Sequence, residues 1–212
     1  MPAPSSQTSN ARFASILRPN PVEHDSVVSK IEGEIPRELN GTLYRNGPNQ
    51  QVAPAAGNQA LHLFDGDALI NAIQFDDGTA RIKGRYARTE CFVEQEKAGQ
   101  YVQGGLNLPP DHPLASPLPS HHPNTNIVPH AGRLFALSEN MPPFEMDPKT
   151  LESKGLWDYE GKMLGLSTTA HPKIDARTGQ LWIHGYQPIA PFIALYCVEA
   201  DGSVSLAEAH DA

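Results

Sequence analysis

Residues 68–88 read ALINAIQFDDGTARIKGRYAR, and this stretch decides the class of fold. Ala68 to Phe75 is apolar and strand-like, Asp76-Asp77-Gly78 supplies a turn, and Ala80 to Arg88 returns with apolar and basic positions alternating. Glycine stands where the turn needs a positive φ, and successive side chains of a strand point to opposite faces. The pattern therefore predicts a β-hairpin.

Outward from this hairpin the same unit recurs. Gly41 to Tyr44 predicts a short strand, closed by Arg45-Asn46-Gly47-Pro48. Asn124 to Val128 and Arg133 to Glu139 flank His130-Ala131-Gly132, while Thr168 to Ile174 and Gln180 to Tyr186 flank Asp175-Ala176-Arg177-Thr178-Gly179. Phe192 to Glu199 and Ser203 to Glu208 are joined by Ala200-Asp201-Gly202. Serial hairpins with little helix predict an all-β propeller, barrel or sandwich, and periodicity leaves those three open. Between Gly104 and Pro123, proline and histidine crowd a loop that cannot be a central strand, since proline lacks the donor a ladder needs.

Composition agrees. The 212 residues are 39% hydrophobic and 19% charged, with 20 prolines and 17 glycines, a folding chain rich in turns. The net charge of −8 is spread along the sequence, and the absence of a basic stripe argues against a nucleic-acid partner. Cys91 and Cys197 match neither a zinc spacing nor a disulfide framework, so two buried thiols and a cytoplasmic location are expected. The apolar stretch Ile189 to Val198 is too short to cross a bilayer and contains Pro191. Met1 to Asn20 lacks the apolar core of a signal peptide and reads as a mobile leader; residues 1–35 form this leader and approach, and residues 36–212 the folded part.

Of nine histidines, His112, His121, His122 and His130 lie in or beside the proline-rich loop. No spacing among them aims two imidazoles at one ion, so they are expected as solvated loop residues. His171 differs: it falls in a predicted hairpin strand, after Thr168-Thr169-Ala170 and before Pro172, which holds the backbone extended. On these residues alone it reads as a histidine packed in a sheet as readily as a ligand.

In order and spacing the chain resembles the carotenoid cleavage oxygenases. The matching segments are Gly41-Thr42-Leu43-Tyr44-Arg45-Asn46-Gly47-Pro48, His62-Leu63-Phe64-Asp65-Gly66-Asp67-Ala68, Asn124-Thr125-Asn126, residues 132–139 (Gly132 to Glu139), Thr150-Leu151-Glu152 and Thr169-Ala170-His171-Pro172-Lys173. The resemblance implies a seven-bladed β-propeller, here its N-terminal portion, with ferrous iron on the axis held by four histidines and roofed by an apolar substrate tunnel. It implies that His171 is the first iron ligand and that Glu139 accepts a hydrogen bond from an iron-bound histidine, fixing the tautomer and strengthening the donor. It further implies scission of a carbon–carbon double bond by dioxygen to two carbonyl products. Arg45, Asn46 and Phe64-Asp65-Gly66-Asp67 match motifs as well, and structural roles are expected for them.

The chain departs from the pattern by ending before the family's Met-x-His-Asp string. His210-Asp211 imitates its last two residues but follows Ala207-Glu208-Ala209 and falls too close to His171, so His210 is rejected as a ligand. One imidazole binds iron weakly, and this portion alone is expected to be inactive, with three ligands lying outside it. Stilbene-cleaving relatives carry lysine where Ser138 stands, which favours a carotenoid or apocarotenoid drawn from a membrane surface over a phenolic stilbene. The rival from another class is a non-catalytic propeller fragment that binds an apolar ligand or a partner chain. A propeller hydrolase is disfavoured by the lack of a serine nucleophile motif and of a carboxylate cluster for calcium.

Overall fold

Three antiparallel sheets follow one another along the chain, as the computed structural model shows for residues 18–53, 63–101, 122–139, 141–165 and 167–211. The first contains β1 (His24–Val27), β2 (Gly41–Arg45), β3 (Pro48–Asn49), β4 (Asp67–Asp76) and β5 (Thr79–Tyr86), ordered β1-β5-β4-β2, with β3 also paired to β4. A helix, α1 (Glu90–Ala98), leads towards the second sheet, a simple meander of β6 (Asn126–His130), β7 (Arg133–Leu137), β8 (Phe144–Met146) and β9 (Ser153–Leu156). The third is another meander: β10 (Lys173–Ile174), β11 (Leu181–Tyr186), β12 (Ile193–Val198) and β13 (Val204–His210).

The predicted turns form where glycine permits them. Asp77 and Gly78 sit at φ 40° and 78°, and Ala131 and Gly132 at 48° and 74°, so both central residues of each two-residue hairpin loop are left-handed. That geometry suits the twist of the flanking strands.

Stacking of the sheets makes the fold a propeller rather than a barrel or a single sandwich. Strand β7 is buried on both faces: Leu134 and Ala136 pack with Ala68, Ile70 and Ala72 of β4, while Phe135 and Leu137 pack with Leu181 and Ile183 of β11 and Tyr196 of β12. The continuous run Leu134 to Leu137 is thus the signature of a middle blade, with neighbours on either side. Each fully buried large apolar side chain contributes about 1.5–3 kcal/mol. A row of rings crosses from the second blade to the third, with Phe135–Trp157, Trp157–Tyr159 and Tyr159–Tyr196 centroids 4.8, 4.5 and 4.2 Å apart. The third blade leaves Trp182, Tyr186, Ile193 and Leu195 exposed on its other face.

Helix α1 was not foreseen. Thr89 caps it by accepting from Phe92 N–H, and Gly99 ends it in the left-handed conformation. Phe92 then packs on Leu69 and Tyr86, on the face of the first blade that the second does not cover. Two further expectations are corrected here. His171 lies outside any strand, because β10 begins only at Lys173. His122 and His130 are not solvated but 6% and 8% exposed; His130 Nε2 meets Gly179 O at 2.9 Å, and His122 Nδ1 lies 3.8 Å from Asp67. His112 and His121, with most of the proline-rich loop, lie outside the described residues.

Candidate functional site

One side of the three sheets is laced by asparagines. Asn46, directly after β2, donates to Pro123 O at 2.6 Å and Asn126 O at 2.8 Å; Asn126 donates in turn to Ala170 O at 2.7 Å. Asn124 reaches back to Phe64 O and Gly66 O at 2.9 and 2.6 Å. These are places where the chain leaves a β-ladder, so carbonyls that would lack partners receive side-chain donors instead. The structural role expected for Asn46 is therefore that of a clip between blades.

His171 follows Ala170 on this laced edge. The segment before it runs close over β11: Thr169 N–H donates to His184 O at 2.6 Å, and Ser167 O lies so near Gly185 that a Cβ there would meet it at 2.2 Å. Glycine in β11 thus makes room for the irregular backbone that carries His171. Thr168, bridged to Met141, ties the same segment to the second blade.

Structure brings His171 and Glu139 together. Glu139 lies two residues beyond the end of β7, and its Oε1 is 2.7 Å from His171 Nδ1. A carboxylate oxygen accepts and does not donate, so Nδ1 carries the proton and the lone pair of the neutral ring sits on Nε2. No protein partner for Nε2 is recorded among the described residues, and the side chain is 64% exposed. Thr169 Oγ1 also reaches Glu139 Oε1, at 3.4 Å, while Oε2 is buried without a hydrogen bond. Partial burial, together with the Glu139 charge, pushes the Tyr186 phenol above its ordinary range.

Among the described residues no three metal-binding side chains converge. His171 accordingly fits one position of an iron site: one nitrogen anchored on a carboxylate and the other open. His210, in β13, is half exposed beside Glu208 at 3.9 Å and joins no such group.

Sequence reasoning missed a second polar centre. Asp67, 2% exposed at the start of β4, accepts from Gln51 N–H at 3.1 Å and Gln95 Nε2 at 2.9 Å, with His122 alongside. Burial pushes its carboxyl up to about 6. The signal available was a carboxylate leading an apolar strand, but its partner on α1 was not recognised.

Comparison with known proteins places these features in context. The profile described as RPE65, retinal pigment epithelial membrane protein, matches residues 17–211. Resveratrol cleavage oxygenase 1 of Aspergillus fumigatus is 39% identical over 83% of this chain and 35% of its own length. Carotenoid cleavage oxygenase 1 of Neurospora crassa is 37% identical over 82% of this chain and 32% of its own length. A crystal structure of Pseudomonas brassicacearum lignostilbene dioxygenase superposes with a TM-score of 0.83 at 28% identity, covering 99% of this chain and 43% of that one. The chain therefore spans well under half the length of these relatives.

Proposed function

The chain belongs to the retinal pigment epithelial membrane protein family, and from that premise we propose that it supplies part of a non-haem iron(II) dioxygenase that splits a carbon–carbon double bond of a carotenoid or apocarotenoid. The observation that carries this reading is the His171–Glu139 pair at 2.7 Å. Glu139 holds the Nδ1 proton, orients the ring and makes Nε2 a stronger donor. Bound ferrous iron would supply the chemistry with dioxygen, and His171 would be one of the imidazoles that hold it. A single open imidazole gives little affinity or selectivity, so activity belongs to the longer protein.

The polyene reading is supported by the short neutral side chain of Ser138, which is 6% exposed and offers no ammonium to a phenolate. A phenolic stilbene is the second reading on substrate, favoured by the names of the A. fumigatus and P. brassicacearum relatives. The reading includes a cytoplasmic location, supported by two free buried cysteines, and uptake of the polyene from a membrane surface. Against the enzyme stands a non-catalytic binding module, favoured by the exposed Trp182, Tyr186, Ile193 and Leu195.

Metal analysis of the full-length protein separates the classes. Stoichiometric iron that is lost in His171→Ala is expected; iron-free protein, or iron indifferent to that change, would overturn the assignment. Turnover of an apocarotenal set against resveratrol then decides the substrate, and cleavage of resveratrol alone would reject the polyene.

A further inference from the structure

We infer that Thr169 is a positioning residue for the proposed metal ligand: its hydroxyl ties the His171 backbone to the Glu139 carboxylate and so selects which imidazole nitrogen faces the metal. The inference rests on the reading of His171 as a ligand and deepens it.

Thr169 is 3% exposed, and its own N–H is fixed to His184 O on β11 at 2.6 Å, so the hydroxyl is held by the third blade. A hydroxyl has one proton and two lone pairs. His171 N–H takes a lone pair at 3.0 Å, and the proton is left for an acceptor. Glu139 Oε1 lies at 3.4 Å in that role. The same oxygen receives His171 Nδ1–H at 2.7 Å, so backbone, hydroxyl, carboxylate and ring close a loop of three contacts.

Closure has a chemical consequence. Glu139 comes from the second blade and His171 from the approach to the third, thirty-two positions apart, so no single backbone element sets their distance. Thr169 touches both, at 3.0 Å from the His171 N–H and 3.4 Å from Glu139 Oε1, while the Tyr186 phenol also interacts with the carboxylate. Turning the ring over would replace Nδ1 by a carbon against Oε1, and moving the carboxylate would strand a buried hydroxyl proton. With the carboxylate pinned, the Nδ1–H form is favoured and Nε2 keeps its lone pair towards solvent. A hydroxyl that merely satisfied its own burial would leave the tautomer of His171 unaffected, and this separates the two roles.

Nitrogen-15 NMR of the His171 ring in the metal-free 212-residue chain reads the difference directly. The wild-type ring should be in the Nδ1–H form. Thr169→Val, nearly the same shape without the donor, should lower the ratio of Nδ1–H to Nε2–H forms roughly 2–10-fold, the size that one net hydrogen bond supplies. Thr169→Ser should restore the wild-type ratio. An unchanged ratio in Thr169→Val, or no rescue by serine, overturns the inference. If near-ultraviolet circular dichroism shows that Thr169→Val has not folded, Thr169→Cys, whose thiol is a weak donor, must show the same fall, and a wild-type ratio there also overturns it. Iron content of full-length His171→Ala is scored separately: retained iron would sink the ligand reading while the tautomer result stood.

Discussion

Replacing Asp67 by asparagine should remove a fall in stability that the wild-type chain shows as pH rises from about 4 to about 7. Asp67 is 2% exposed, and its bonds from Gln51 and Gln95 do not offset burial, so its carboxyl moves from the ordinary 3.8 to about 6. A carboxyl raised on folding holds its proton more tightly in the folded state. Its stabilising contribution is therefore complete below the unfolded value and is lost as pH rises through the folded one. At about 1.4 kcal/mol for each unit, a rise of roughly two units amounts to ~3 kcal/mol. Asparagine does not titrate and adds only a pH-independent offset. The assay is urea unfolding of both proteins followed by Trp157 and Trp182 fluorescence across this range. The wild-type advantage over Asp67→Asn should shrink by about 3 kcal/mol on going from acid to neutral pH. Asp25, Asp147, Asp201 and Glu199, all held low by hydrogen bonds or cations, titrate alike in both proteins and cancel in the difference. His122 is close enough to couple, so the pair is repeated in a His122→Gln background. Parallel stability curves in both backgrounds would refute the argument that burial dominates at Asp67.

Two further substitutions probe the edge that carries His171. Gly185→Ala would place a Cβ 2.2 Å from Ser167 O, so the backbone ahead of His171 must shift; a loss of about 1–3 kcal/mol is expected in urea unfolding, and wild-type stability would show that the close approach is not maintained. Asn46→Ala removes the donors to Pro123 O and Asn126 O and should cost about 1–3 kcal/mol, with faster amide exchange in β2 and β6; unchanged exchange would mean the clip carries no energy.

What the sequence disclosed follows from the range of the interactions involved. The hairpins at residues 67–86 and 126–137 were legible because the turn requires positive φ at adjacent residues and glycine fills the second position in each. Periodicity could not choose a propeller, since that depends on β7 dividing its side chains between two blades, which is a fact about distant segments. The fold, and a role for Glu139 as acceptor to a metal-binding histidine, are expected only through family resemblance; that Glu139 meets His171 is visible only in the structure. Helix α1 is not expected from the sequence although Thr89 and Gly99 mark its ends, because its nine residues are short for a helical period to stand out beside the hairpin signals. His122 and His130 were misjudged because proline-rich neighbours suggest exposure, whereas Asp67 and Gly179, which they meet, are far away in the chain.

The placement of His171 outside the strand carries the same lesson into the site. Within a ladder, pleat and register dictate where a side chain points, and a ring there inherits its direction from the sheet. The segment before His171 has left the ladder: its groups are met by Met141 O, by His184 O and by the Asn126 side chain, and a strand glycine, Gly185, yields space for it. Freed from the pleat, the imidazole takes its direction from Glu139 and Thr169, two side chains delivered by different blades. The precision of this candidate site therefore depends on how the second and third blades stack, through the ring row from Phe135 to Tyr196 and the asparagine clips, as much as on the residues that touch His171.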